Sequence, residues 1–155
     1  MELTTRAFIT TARQIILDGI RRTAQGVALA AGVPDDRAPI VRVLEDESIP
    51  VNYNDPALAA RVRATLAKAL GPQNVSDEGP LMGSEDFGIF GLDGHKIPTV
   101  IFWLGAIDPA KFAAAKAAGK LLPGTHTSRF EPRPEPTLRT GITAMTSVAI
   151  ALLQN

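Results

Sequence analysis

Apolar positions recur at helical spacing in four places along the chain. The first set is Ala12, Ile15, Ile16, Gly19, Ile20, Ala24, Val27, Ala28 and Ala31, with Arg13, Asp18, Arg21, Arg22 and Gln25 lying off the stripe. Gly32 and Pro34 stop it. The second set, Leu58, Val62, Leu66 and Leu70, repeats every fourth residue between Asn54-Asp55-Pro56 and Gly71-Pro72. Asn54 or Asp55 can cap that helix, and Pro56 suits its first turn because the missing N–H has no partner there. A third helix is expected from about Pro109 to Ala118, again between Asp-Pro and Gly, and a fourth from about Pro136 to Leu153.

Other stretches read as extended. Residues 39–46, PIVRVLED, alternate and are rich in β-branched side chains, which predicts a half-buried strand. Residues 98–106, PTVIFWLGA, form a continuous apolar run of the kind found in a strand covered on both faces. Shorter strands are expected in MELTTRAF and NVSDEG. SEDFGIFG reads as a short helix capped by Ser84, with Glu85 and Asp86 favoured in its first turn by the helix dipole. Alternating helices and strands predict an α/β fold. A composition break at 49–55 is the expected domain boundary.

Composition narrows the classes of function. At 155 residues the chain is about one domain long, and 45% hydrophobic residues suffice for a sizeable core. Sixteen basic residues balance sixteen acidic ones, and the longest basic run is Arg21-Arg22. That pattern carries no phosphate-tracking stripe, so nucleic acid and anionic membranes are not expected partners. The absence of cysteine excludes disulfides and thiolate ligands. The first residues lack the basic and apolar regions of a signal peptide, and a cytoplasmic location is expected.

No nucleophile elbow, HExxH, P-loop or dinucleotide-binding glycine motif is present. Single residues taken alone point to little chemistry. His126 reads as a turn histidine, Arg6 as a solvated charge, Glu85-Asp86 as a helix start, His95 as a turn residue beside Gly94, and Phe102 and Trp103 as core.

The ordered set is more specific. RAF near the start, NDP before a helix, GSEDFG ahead of an apolar strand, then HTSRFEP and PTLRTG resemble the C-terminal part of the aminoacylase and hippurate hydrolase-like metal-dependent amidohydrolases, peptidase family M20. The resemblance runs over essentially the whole chain. It implies half of a small α+β lid (dimerisation) domain over residues 1–50, followed over 51–155 by the closing α/β segment of a zinc-peptidase-like catalytic domain. It implies that His126 is a ligand for zinc or manganese, that Arg6 reaches a substrate carboxylate, and that Glu85 and Asp86 support the site behind the ligands. Of the family's catalytic groups it places none in this chain. The metal-bridging carboxylate, the catalytic glutamate and the remaining ligands have no counterpart here, and HTS stands where HSP is commoner.

The function so implied is hydrolysis of N-acyl amino acids or similar amides, with this chain inactive alone. The alternatives are a complementing subunit of a split enzyme and a non-catalytic self-associating remnant. The expected partners are an N-acyl amino acid in the intact enzyme, and either a second copy in a dimer or a missing N-terminal half. The expected interface is the N-terminal strand–helix–strand or the orphaned apolar strand.

Overall fold

The computed structural model describes residues 1–83, 85–92 and 94–154. Helix α1 spans Thr10–Ala30, α2 Pro56–Leu70, α3 Pro109–Ala117 and α4 Pro134–Leu153, and short 3-10 turns lie between them. The chain divides into two compact units. Unit 1 is Met1–Tyr53 with Gly79–Thr99, and unit 2 is Asn54–Glu78 with the residues from Val100 onward.

Local chemistry sets the helix ends. Asp55 accepts a hydrogen bond from the Leu58 N–H at 2.8 Å, and Pro56 follows it in the first turn. Asp108 accepts from the N–H groups of Ala110 and Lys111 at 2.9 and 3.1 Å, again ahead of a proline. Each aspartate satisfies donors that a helix start leaves without an intrahelical partner. After α1, Gly32 takes φ 68°, and the N–H of Val33 returns to the carbonyl of Ala28. A side chain would oppose that left-handed turn.

The α/β expectation is overturned. Among the described residues the structure is helical and holds no strand or sheet. Residues 1–7, 39–44, 75–80 and 98–106 are irregular rather than laddered, and 45–47 and 72–74 close into 3-10 turns. The reason is partnership. Alternation and β-branching favour an extended backbone, but a strand exists only when a neighbour supplies donors and acceptors along its edge. At Ile101 that role falls to a side chain: the Asn54 amide donates to its carbonyl at 2.9 Å and accepts from its N–H at 2.8 Å. The SEDF segment becomes a 3-10 helix over Asp86–Gly91. Its expected cap, Ser84, lies outside the described residues.

Unit 2 is organised by α2 against α4. Val62 and Leu66 meet Ala144 and Val148, and Leu58, Leu70, Val75, Val100 and Phe102 pack around them. Ala144 is 1% exposed, so the small residue lets the two helix backbones approach. One turn earlier on the same face, Gly141 leaves room for Leu104, whose Cδ2 would lie 3.0 Å from an added Cβ. Leu17 of α1 is buried, and Arg13 donates to Glu45 at 2.8 Å. Leu66→Ala should destabilise unit 2 by about 2–5 kcal/mol. A lowered urea midpoint followed by helical circular dichroism is the expected result, and an unchanged midpoint would contradict this core assignment.

Candidate functional site

His126 lies in an exposed turn of unit 2, between α3 and α4. The turn closes on itself: the N–H of Thr127 donates to the Gly124 carbonyl at 3.2 Å, its hydroxyl to the same oxygen at 3.0 Å, and the N–H of Phe130 to the Thr127 carbonyl at 3.1 Å. Two ion pairs tie the segment after His126 to the start of α3. Lys111 meets Glu131, and Arg133 meets Asp108 at 2.5 Å. The Arg133 N–H also donates to the Ala106 carbonyl at 2.7 Å. Asp108 therefore caps α3 and anchors the approach to α4 with one carboxylate. Beside the turn, Ile107, Lys111, Leu122, Pro123, Arg129 and Glu131 line a shallow notch.

These contacts shape the local electrostatics. The Arg133 hydrogen bond, helped by the α3 N–H groups, holds the Asp108 carboxyl below its ordinary value. Lys111 does the same for Glu131. Both carboxylates are solvent-facing, so these pairs register the loop more than they stabilise the fold.

The other residues expected from the sequence belong to unit 1. Arg6 is exposed on the irregular segment before α1. Glu85 and Asp86 are adjacent and exposed, at the start of the 3-10 helix. Asn52 fastens that helix to the preceding segment by donating to the Glu85 carbonyl at 3.2 Å. Gly88 is buried there, and a Cβ would stand 3.0 Å from the Pro50 carbonyl oxygen, 3.2 Å from Asn52 Oδ1 and 3.3 Å from the Val51 carbonyl oxygen. His95 is more constrained than a turn residue needs to be. Its φ is 55°, and its ring lies 4.7 Å from that of Tyr53 at 44°.

The resemblance implies a divalent metal held partly by His126. A zinc centre needs three or four protein ligands. Among the described residues no three His, Asp or Glu side chains gather where one ion could reach them. The donor set of the described residues does not fit a metal centre by itself.

The ties among Asp108, Lys111, Glu131 and Arg133 have one visible sign in the sequence, the Asp-Pro start of α3, since a capping aspartate has lone pairs left for a distant cation. Of the two possible caps of α2, Asp55 takes the role and Asn54 holds Ile101.

The model of the family described as Peptidase family M20/M25/M40 matches residues 15–149. No curated protein and no solved structure matches the chain.

Two outcomes test this geometry. Gly88→Ala should lower the melting temperature, because backbone carbonyls cannot yield to the added methyl, while Gly79→Ala, with open space around it, should leave packing undisturbed. Equal effects would contradict the close approach. The second concerns acid. Glu131 has its carboxyl lowered from 4.5, so its tie to Lys111 contributes fully above that ordinary value and is lost as pH falls through the lowered one. A carbon-detected NMR titration should show Glu131 protonating below 4.5, and Lys111→Ala should return it toward 4.5.

Proposed function

Because the chain belongs to peptidase family M20/M25/M40, we propose that it serves metal-dependent hydrolysis of an amide bond in N-acyl amino acids or related compounds. Membership supports hydrolase and metallopeptidase chemistry, and the family generally works with divalent metals. The donor set carries the next step of the reading. With no group of three ligating side chains among the described residues, this chain supplies part of a site whose other donors lie in polypeptide beyond these residues.

Each residue has a task its chemistry suits. His126 offers a neutral imidazole, a good ligand for zinc or manganese, from a turn stiffened by Gly124 and Thr127 and braced by two ion pairs. Arg6 offers a planar guanidinium whose paired N–H groups match a carboxylate, which suits a substrate with a free α-carboxylate. Glu85 and Asp86 add negative charge beside the segment fastened by Asn52, where they orient neighbours rather than react. A zinc or manganese ion held by the complete donor set would supply Lewis acidity.

The test is hydrolysis of an N-acyl amino acid with zinc or manganese added, by this chain alone and then mixed with a separately produced N-terminal half of a family enzyme. No turnover alone and turnover in the mixture is the expected result. Turnover by the chain alone would overturn the divided site, and no turnover in either would leave a non-catalytic self-associating protein as the better reading. In the active mixture Arg6→Ala should lower kcat/KM about ten- to a hundredfold, the effect of losing one charge-assisted hydrogen bond. An unchanged value would remove Arg6 from substrate recognition.

A further inference from the structure

We propose that Asp108 is a positioning residue for His126, and that its hold on the His126 turn is an ionic latch which salt releases while the helix it caps stays formed. Its bearing on the reaction rests on the role given to His126 above. The latch itself does not.

The segment that carries His126 has no core of its own. From Pro109 to Arg133 no side chain is buried, and beyond α3 only Leu122, Pro123 and Phe130 are half-buried. Burial of apolar surface therefore does little to fix the course of the turn. Its internal bonds, from Thr127 to Gly124 and from Phe130 to Thr127, close the turn without reaching another element. The directed bonds that join it to its surroundings all lie at one base, residues 106–111 against 131–133. They are Arg133 on the Asp108 carboxylate at 2.5 Å, the Arg133 N–H on the Ala106 carbonyl at 2.7 Å, and Lys111 on Glu131.

Asp108 is the node of that base because its two oxygens have different tasks. Oδ1 accepts from the N–H groups of Ala110 and Lys111 and starts α3, while Oδ2 takes the Arg133 guanidinium. The first task also places Lys111, so the Lys111–Glu131 pair depends on the same carboxylate. The Arg133 bond is the main influence that lowers the Asp108 carboxyl, which keeps it charged for the tie at neutral pH. Asp55 caps α2 in the same Asp-Pro setting through its bond to Leu58, so it reports what loss of charge at such a cap does by itself.

Such a hold is conditional. Both ion pairs are solvent-facing. Pairs of that kind are individually weak, and at about 1 M salt the screening length falls to about 3 Å. The contact of α2 with α4 is apolar and does not share this sensitivity. Salt should therefore free the His126 turn while the core of unit 2 stays packed.

The experiment is amide hydrogen exchange and histidine NMR on the whole chain, unaltered and as Asp108→Asn, Arg133→Ala or Asp55→Asn. Asparagine caps a helix about as well as aspartate, so Asp108→Asn removes the ion pair and keeps the helix start. Exchange at the N–H groups of Thr127 and Phe130 should quicken about two- to fivefold in Asp108→Asn and in Arg133→Ala, the range that one exposed ion pair allows. Sodium chloride at about 1 M should do the same to the unaltered chain. The chain has two histidines. The imidazole signal of His126 should move in those two variants, and that of His95, in unit 1, should keep its place. Asp55→Asn should change neither signal nor the exchange of the turn. Should Asp108→Asn lose helical circular dichroism, Arg133→Ala decides alone, since it leaves the cap untouched. Exchange at Thr127 and Phe130 that is indifferent to loss of the ion pair or to salt, or that quickens equally in Asp55→Asn, would overturn the proposal. A mixture without turnover would remove the role of His126 and leave this result as it stands.

Discussion

Unit 2 depends on the close approach of α2 and α4. Val62 and Leu66 on one helix and Ala144 and Val148 on the other form its buried centre, and every nearby segment is placed against that pair. Val100 and Phe102 pack their side chains against this core without a sheet to hold their segment. Once they are in place, Asn54 can occupy both main-chain groups of Ile101. One small residue, Ala144, sets how near the helices come, and contact at that distance makes dispersion and burial worthwhile.

From that frame the His126 turn inherits its position in steps. The α3 cap at Asp108 is fixed by local hydrogen bonding. Arg133 then ties the entry of α4 to the same aspartate, and Lys111 holds Glu131 one turn further along α3. A histidine on a loop can act as a ligand only if the loop has a defined course, and these ties give it one. They do so with exposed groups, which cost little to assemble and leave the imidazole open to solvent. Unit 1 presents the Arg6 guanidinium on the segment before α1, and the Glu85 and Asp86 carboxylates on a segment fastened by Asn52 and by the close approach at Gly88. The chain belongs to a metallopeptidase family, and among its described residues no three ligating side chains gather at one point.

Much of the apolar surface stays open. Few hydrophobic side chains are buried: Leu17 in unit 1, and Val62, Leu66, Ala144 and Val148 in unit 2. Long helices with two apolar rows satisfy one row internally and present the other. Exposed rows of this kind normally mark an interaction surface in a soluble protein.

Helices were legible in the residues because their signals are local. Asp55-Pro56 and Asp108-Pro109 start helices, Gly32 and Gly71 end them, and the spacing of Leu58, Val62, Leu66 and Leu70 needs no distant partner to be read. The ordered motifs from NDP to PTLRTG, which fall within the residues the family model matches, likewise carried the family. Strands were not legible, because PIVRVLED and PTVIFWLGA record only a preference for extension. Whether a ladder forms depends on what lies alongside, and here Asn54 lies alongside Ile101 where a strand was expected. Nor could the sequence tell which of two adjacent residues, Asn54 or Asp55, would cap α2, since both have the side chain for it. Tertiary structure decided that, and it chose which acidic groups hold the His126 loop. Capping and periodicity act over a few residues, whereas edge pairing and ion pairing between segments require the chain to be brought together first.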